Sequence, residues 1–186
     1  GIACWEWPSY MDPEKKVNGI SIVTSPYNQF ENPLYSNNKI IGTYVNSIMA
    51  LHDAIERGSD EALLLDSNEN ISEGSGENLF IVKNEELITP TPDNCLNGIT
   101  RQSIIKIAQD ENIDVIEKKL KYEDLVDADE AFFTGTAVEV TPIAKVDETT
   151  IGDSMIGPIT KKLQKIFTDT VTNKNKKYAH WLDPIN

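Results

Sequence analysis

Residues 71–80 read Ile-Ser-Glu-Gly-Ser-Gly-Glu-Asn-Leu-Phe, and they carry more information about the fold than any other part of the sequence. Two glycines within three residues permit backbone conformations that other residues avoid, and they let a bulky group approach the chain closely. Glu73 and Glu77 bracket the glycines, so a carboxylate here can face a bound cation or a protonated ring. A Gly-rich hairpin turn with solvated glutamates is the alternative interpretation of this stretch.

Strand patterns extend from this stretch in both directions. Residues 78–82 and 86–89 are apolar and β-branched, which predicts a hairpin across residues 83–85. Further strands are predicted at residues 20–24, 62–66, 114–118, 131–134 and 139–146, the last two interrupted by Gly135 and Pro142.

Helix patterns are mixed with these strands, without strict alternation. An apolar helix face is predicted up to about Gly58, since apolar residues recur there at spacings of three and four. Other helices are predicted from near Thr100, over residues 122–126 and from Pro158. The mixture of strands, hairpins and helices predicts one domain of mixed α/β (α+β) class. The residues of the first apolar face are Tyr44, Val45, Ile48, Met49, His52 and Ile55.

Composition excludes several functions. The chain has 186 residues, which fits one domain, and a net charge of −13. Such a charge repels phosphate backbones and anionic lipid, so we expect neither a nucleic-acid nor a membrane partner. No apolar run approaches the roughly 20 residues that span a bilayer. Cys4 and Cys95 form no close pair and there are two histidines, which predicts no metal site and reduced thiols in a cytoplasmic protein.

Lys39 begins a second informative segment, Lys-Ile-Ile-Gly-Thr-Tyr at residues 39–44. A lysine beside Ile40 and Ile41 is a candidate for desolvation, which lowers the pKa of an amine and suits it to imine formation. A solvated lysine at the start of a helix is the alternative.

Two more segments place glycine and threonine where anions can bind. In residues 96–101, Gly98 and Thr100 stand just ahead of an apolar helix, whose free N–H groups and dipole favour a phosphate. In residues 133–137, a strand ends in Gly-Thr-Ala, whose exposed amides can hold a second anion. The alternatives are a threonine N-cap at the first segment and a turn or bulge at the second.

Together and in this order, the four segments resemble the branched-chain amino acid aminotransferases, which are fold type IV (class IV) pyridoxal-phosphate enzymes. That family has the motifs Lys-x-x-Gly-x-Tyr, Ser-Glu-Gly-x-Gly-Glu-Asn-Leu-Phe, Gly-Ile-Thr-Arg and Gly-Thr-Ala-x-Glu-x-Thr-Pro, and this chain has them at residues 39–44, 72–80, 98–101 and 135–142. Trp7-Pro8-Ser9-Tyr10 is similar to the family's Trp-Gly-x-Tyr at the pocket entrance. This chain departs from the family motifs at Pro8, Ile40, Ile41, Thr43 and Asn97. None of these departures removes a reacting group.

The resemblance implies a fold and a domain. Residues 1–186 would be the cofactor-binding large domain, a mixed sheet or pseudo-barrel flanked by helices. Full-length members also carry a small N-terminal domain of roughly a hundred residues. That domain supplies an arginine to the cofactor phosphate and aromatic residues to the substrate pocket across a dimer interface. The chain is therefore expected to be a fragment without the small domain, because Gly1 is followed at once by strand-like residues.

The resemblance also assigns roles around the cofactor ring. Lys39 would form the internal aldimine with pyridoxal 5′-phosphate and then act as the general base between Cα and C4′. Glu73 would bond to the pyridine nitrogen and keep it protonated. Tyr44 would hydrogen-bond the phenolic oxygen.

Other residues would hold the two anionic groups and the substrate side chain. Gly98, Ile99 and Thr100 would bind the phosphate with help from Thr136. The amides of Thr136 and Ala137, next to Gly135, would hold the substrate carboxylate. Trp7 would line the apolar side-chain pocket.

The implied activity is the transamination of L-leucine, L-isoleucine and L-valine with 2-oxoglutarate by a homodimer or higher homo-oligomer. Three alternatives stay open. Two lie within the same fold, a D-amino acid aminotransferase and an aminodeoxychorismate lyase, and the third is a catalytically inactive truncated domain.

Overall fold

The computed structural model describes residues 3, 5–6, 11–31, 38–93 and 95–183. The strands, in chain order, are β1 (Ile20–Thr24), β2 (Glu61–Leu65), β3 (Ile71–Gly74), β4 (Asn78–Lys83), β5 (Glu86–Thr89), β6 (Val115–Glu117), β7 (Glu130–Gly135), β8 (Glu139–Val146) and β9 (Thr149–Thr150). The helices are α1 (Lys15–Asn18), α2 (Tyr44–Glu56), α3 (Ile99–Asp110), α4 (Tyr122–Val126) and α5 (Pro158–Val171), with 3-10 turns at Ile41–Thr43 and Lys176–Trp181.

All of these strands belong to one mixed sheet. Its order is β3-β2-β1-β8-β7-β4-β5-β6, and β9 adds to β8. β1 runs parallel to both β2 and β8, and β5 runs parallel to β6, while the other neighbours are antiparallel. A bridge between Ile71 and Leu120 joins β3, at one end of the sheet, to the segment that follows β6 at the other end. The sheet therefore curls into a half-barrel, and the predicted mixed α/β class is confirmed.

The core lies on both faces of this sheet. Side chains alternate along β4, so Leu79 and Ile81 enter one buried cluster while Phe80 and Val82 enter the other. The second cluster is covered by α3 and α5, and in it Phe80 stacks on Phe132 with ring centroids 5.1 Å apart. Because both faces are covered, the middle of the strand has to be apolar, as residues 79–82 are.

Pro142 does not interrupt its strand, contrary to the sequence prediction. β8 runs unbroken from Glu139 to Val146, with Pro142 opposite Phe132 of β7. On its other side, the pairing of β8 with β1 begins one residue later, at Ile143. A proline is tolerated where no neighbouring strand needs its N–H.

The apolar face of α2 also differs from what amphipathicity leads one to expect. Val45 and Ile48 are 67% and 61% exposed, and Met49 and Ile55 are exposed as well. The helix instead packs on the sheet through the small residues Ala50 and Ala54. Periodicity therefore located the helix correctly, but the face that it marked as apolar points to solvent in this chain.

The same helix ends as its sequence predicts. Gly58 has a φ of +80°, which only glycine adopts without strain, and its N–H bonds to the Ile55 carbonyl. Within the described ranges, no helix is long and apolar enough to cross a membrane.

Candidate active site

Two adjoining cavities, of about 60 and 310 Å³, open beside the turn between β3 and β4. All four motif segments contribute lining residues, and so does the loop that contains Gln29 and Phe30. Both cavities are lined by Asn38, Lys39, Gly76, Asn78 and Leu96.

Glu73, at the end of β3, is held by three neutral donors. Its Oε2 accepts hydrogen bonds from the Leu96 N–H at 3.1 Å and from Asn78 Nδ2 at 3.2 Å, and its Oε1 accepts one from Gln29 Nε2. Burial raises the pKa of Glu73 to about 7, while the Leu96 N–H and the positive charge of Lys39 act in the opposite direction. The site thus contains a carboxyl group that titrates near neutrality.

The turn after Glu73 needs glycine for one of the two predicted reasons, the close approach of a bulky group, and not for the other. A positive φ occurs at neither Gly74 nor Gly76, so the unusual backbone conformation expected there is absent. At Gly74, however, a Cβ would lie 3.0 Å from both Glu77 Oε2 and the ring of Phe133. At Gly76 no atom lies within 4 Å of an added Cβ. Close packing at Gly74 is therefore what the turn requires.

Lys39 and Tyr44 line the first cavity from the start of α2. Lys39 Nζ lies 5.4 Å from the centroid of the Tyr44 ring. The 3-10 turn between them is closed by the Thr43 hydroxyl, which donates to the Ile40 carbonyl at 2.8 Å. The predicted desolvation of Lys39 is wrong for this chain, because Lys39 is exposed and its neighbour Ile41 is 89% exposed.

The second cavity contains the start of α3. The N-cap of this helix is Gly98, with no side-chain cap, and Thr100 is buried in the first turn. The alternative of a capping threonine is therefore wrong, and the first N–H groups are free of a side-chain cap. A side chain at Gly98 would displace Asn78 Oδ1, so a larger residue here would disturb Asn78.

Opposite this helix, the end of β7 adds one buried polar atom without a partner. Thr134 is 1% exposed and lines the second cavity, yet its hydroxyl makes no hydrogen bond to a described residue. Such an orphaned hydroxyl beside a cavity is typical of a site that receives a polar ligand.

Arg101 fixes the loop between β5 and α3. Its guanidinium, 1% exposed, donates to Asn97 Oδ1 at 3.1 Å, to the Pro90 carbonyl at 2.8 Å and to Glu117 Oε2 at 2.5 Å. Both ends of the loop are thereby tied to β6. This loop is the one that brings the Leu96 N–H to Glu73.

The structure brings most of the sequence-predicted site residues together. Ala137 is exposed next to Thr136 and is not among the described residues lining either cavity, and Trp7 lies outside the described residues. Lys39, Tyr44 and Glu73 line the first cavity, and Gly98, Ile99, Thr100, Gly135 and Thr136 line the second.

Three residues at the site were missed by the sequence analysis. Asn78 and Thr134 are polar residues within apolar strands, and that contrast could have indicated them. Gln29 lies in a Pro- and Asn-rich loop and carries no such signal. The described part of the chain contains no group of three His, Cys, Asp or Glu side chains that could hold a metal ion.

Comparisons with known proteins agree with this site. The family model for amino-transferase class IV matches residues 3–146. The branched-chain-amino-acid aminotransferase of Pseudomonas aeruginosa is 44% identical over 181 residues, which are 97% of this chain and 59% of the relative. That of Escherichia coli K12 is 39% identical over 187 residues, covering 100% of this chain and 60% of the relative.

Solved structures give the same result. The T.th. branched-chain amino acid aminotransferase with pyridoxamine 5′-phosphate has a TM-score of 0.93 and 39% identity, covering 98% of this chain and 60% of that one. The Escherichia coli enzyme has a TM-score of 0.93 and 38% identity, with the same coverage. The chain thus spans about 60% of the length of the curated relatives it matches.

These findings confirm both the fold type IV architecture and the resemblance read from the four motifs. The family model covers well over half of the residues. The chain therefore belongs to the class IV amino-transferases.

Proposed function

We propose that this chain binds pyridoxal 5′-phosphate and carries out the transamination of L-leucine, L-isoleucine and L-valine with 2-oxoglutarate. The observation that carries the proposal is the convergence at adjoining cavities of the Lys39 amine, the Glu73 carboxyl and the uncapped start of α3. The names of the relatives support the substrate class. A solved relative in complex with N-(5′-phosphopyridoxyl)-L-glutamate supports the cofactor.

The donor set fits a phosphorylated pyridine. A phosphate needs N–H and O–H donors, and the second cavity offers the first turn of α3 together with the orphaned Thr134 hydroxyl. A pyridinium nitrogen needs a buried acceptor, and Glu73 supplies it. The chain's own cavities therefore match both ends of the group.

When bound, the cofactor supplies an aldehyde that condenses with amines and a ring that accepts electron density from the substrate Cα. Lys39 carries the primary amine for that aldehyde, and it would move the proton to and from Cα. Glu73 would hold a proton on the ring nitrogen, which requires its carboxylate form, and a cationic partner lowers the pKa of a carboxyl. Tyr44 would hydrogen-bond the phenolic oxygen.

Binding of the two anions is assigned to backbone and hydroxyl donors. Gly98, Ile99 and Thr100, with Thr136, would hold the phosphate, since the helix dipole favours negative charge there. Gly135, Thr136 and Ala137 would hold the substrate carboxylate, and Trp7 would line the side-chain pocket. The assignments of Ala137 and Trp7 rest on the motif resemblance, as Ala137 lines neither of these two cavities and Trp7 lies outside the described residues.

Partners and location follow the same proposal. The partners are a small amino acid and a 2-oxo acid, and the family resemblance adds a homodimer or higher homo-oligomer, which sedimentation would test. A cytoplasmic location is supported by Cys95, a buried free thiol of the kind found in reducing compartments.

The test combines binding with turnover. Pyridoxal phosphate is added to the wild type and to Lys39→Ala, and the protein-bound absorbance band is recorded before and after borohydride. We expect the absorbance band in the wild type alone, and borohydride should there attach the cofactor to the protein permanently. We also expect the wild type to transfer the amino group of L-leucine to 2-oxoglutarate. A preference for D-alanine would assign the chain to the D-amino acid branch. Cofactor binding without any transfer would identify an inactive domain.

A further inference from the structure

Glu61 and Glu77 form a buried pair of acidic side chains that none of the roles above uses. Glu61 lies on β2 and Glu77 closes the turn before β4, and the two residues are 5% and 8% exposed. The adjacent N–H groups of Ser75 and Gly76 bind Glu61 and Glu77, so the two carboxyl groups are neighbours. A hydrogen bond between two such acids requires a proton between them.

Both carboxyls also hold the backbone of the turn. Glu61 Oε1 accepts from the Ala62 N–H at 2.6 Å and from the Ser75 N–H at 3.3 Å. Glu77 Oε2 accepts from the Gly76 N–H at 3.0 Å, and the Glu77 carbonyl accepts from the Gly74 N–H at 2.7 Å. The pair thus binds successive N–H groups of the segment that joins Glu73 to Asn78.

No cation compensates for this concentration of acid. Neither Glu61 nor Glu77 forms an ion pair with a described residue, and the carboxyl of Glu73 adds a further like charge that acts on Glu77. Lys39 lines the same cavity and acts on Glu73.

The charged residues of α2, which packs on β2, are engaged elsewhere. His52 lies 3.4 Å from Glu56, and Asp53 pairs with Arg57, all at the surface. On β7, the residues next to the turn are the neutral Phe133, Thr134 and Gly135. Two neighbouring carboxyls in these surroundings lose their second proton only at a raised pH.

We propose that Glu61 and Glu77 share one proton and act as a positioning pair that holds the turn between β3 and β4, and with it Glu73 and Asn78, in place at the cavity. Burial raises the pKa of both carboxyls, that of Glu77 to about 8. The folded chain therefore keeps a proton that the unfolded chain releases near pH 4.5. The resulting stability is complete below that pH and is lost as the pH rises through about 8.

The first test measures the folding equilibrium constant by urea unfolding between pH 5 and pH 8.5 for the wild type, Glu77→Gln and Glu61→Gln. For the wild type, the folding equilibrium constant is expected to fall by up to about ten-fold for each unit of rising pH, because the folded chain holds a proton that the unfolded chain has released. Glutamine donates to the remaining carboxylate without a titrating proton, so both variants are expected to lose that part of the slope. Glu85→Gln, at an exposed turn, is the matched control and keeps the wild-type slope.

The second test looks for the proton directly. Infrared difference spectra are recorded in a Glu73→Gln background, because the Glu73 carboxyl also titrates near neutrality. The spectra are expected to contain a protonated carboxyl C=O band that disappears near pH 8 and is absent when Glu61 or Glu77 is also replaced by glutamine. If the band is missing, or if the glutamine variants keep the wild-type pH slope, the shared proton is refuted.

The third test concerns positioning and rests on the proposed cofactor. Glu77→Gln is expected to bind pyridoxal phosphate within about three-fold of the wild type, and Glu77→Ala to bind it at least ten-fold more weakly, because alanine releases the turn. Equal affinities for the two variants would refute the positioning role. If the wild type itself does not bind pyridoxal phosphate, the proposed function fails, while the first two tests still decide whether the pair exists.

Discussion

The Leu96 N–H donates a hydrogen bond of 3.1 Å to Glu73 Oε2, which joins the loop after β5 to the end of β3. The Leu96 carbonyl accepts in turn from Asn78 Nδ2 at 2.7 Å, so both polar groups of one residue's backbone serve the cavity. Neither group is specified by the leucine side chain. The surroundings of Glu73 therefore depend on how the loop is held, and in this chain Arg101 holds it.

The pH dependence of stability is the first prediction. The pKa of Glu73 is raised from 4.5 to about 7, so its contribution is complete below pH 4.5 and disappears as the pH rises through 7. In this window the unfolding free energy of the wild type falls with rising pH, and Glu73→Gln is expected to reduce that slope by up to about 1.4 kcal/mol per pH unit. Urea unfolding at several pH values measures it, with Glu85→Gln as control. Parallel profiles for wild type and Glu73→Gln would contradict the raised pKa.

The second prediction identifies the cofactor lysine. Borohydride reduction of the protein with pyridoxal phosphate, followed by peptide mapping, is expected to label the peptide that contains Lys39. Lys106→Ala is the matched control, since Lys106 is exposed and pairs with Asp110 along its own helix. Label at Lys83 or Lys106 would overturn the assignment.

The third prediction asks whether Glu73 serves turnover through its charge or serves the structure of the turn. Glu73→Gln keeps the shape of the site but removes the charge that supports a protonated ring. Transamination is expected to fall on the order of 10²- to 10³-fold, the usual cost of losing one charge-stabilising group. The reductive label at Lys39 is expected to persist. If labelling and turnover fell together, Glu73 would serve the structure of the turn instead.

The fourth prediction concerns Arg101. Arg101→Leu removes a buried cation and leaves the Pro90 carbonyl without its donor. We expect a loss of about 2 kcal/mol in unfolding free energy, since a buried acceptor left without its donor is costly, and the ion pair with the part-exposed Glu117 is lost as well. Arg57→Leu, at an exposed ion pair, is expected to cost about 1 kcal/mol or less. Denaturant unfolding of both variants measures the difference, and equal losses would refute the role of the buried site.

The exposed face of α2 gives the fifth prediction. Val45 and Ile48 lie in solvent next to a groove of about 580 Å³ lined by Phe30 and Met49. The chain is expected to enhance the fluorescence of a hydrophobic dye, and a Val45→Asn, Ile48→Gln double variant to lower that signal without loss of stability. Val171→Asn, at an exposed apolar residue of α5, is the control. A dye signal unchanged by the double variant would place the binding surface elsewhere.

Sequence patterns located the secondary structure well, because they depend on local constraints. The β4–β5 hairpin and the strand at Ile20–Thr24 lie where alternation and turn residues predicted them. Burial was harder to predict. The apolar stripe of α2 obeys helix periodicity, yet Ala50 and Ala54 form the contact, since close approach to the sheet favours small side chains.

The site was predictable only in part, for a similar reason. Motif residues such as Glu73 and Thr100 are recognisable by type and spacing. Gln29 and the Leu96 backbone contact Glu73 through folding of distant segments, and nothing in their own sequence marks them. The exposure of Lys39 was likewise set by tertiary structure and not by its apolar neighbours.

The parallel pairing of β1 with β8 bears on how the protein folds. Ile20 lies opposite Ile143, with about two-thirds of the chain between them. Such a contact is expected to form late, because the entropy cost of bringing the ends of a long segment together precedes the stabilisation that the strand pairing provides. The β4–β5 hairpin, whose strands are neighbours in sequence, forms early. A folding intermediate that contains this hairpin but lacks the β1–β8 pair has no complete cavity, so ligand binding during refolding reports the last step and not the collapse of the chain.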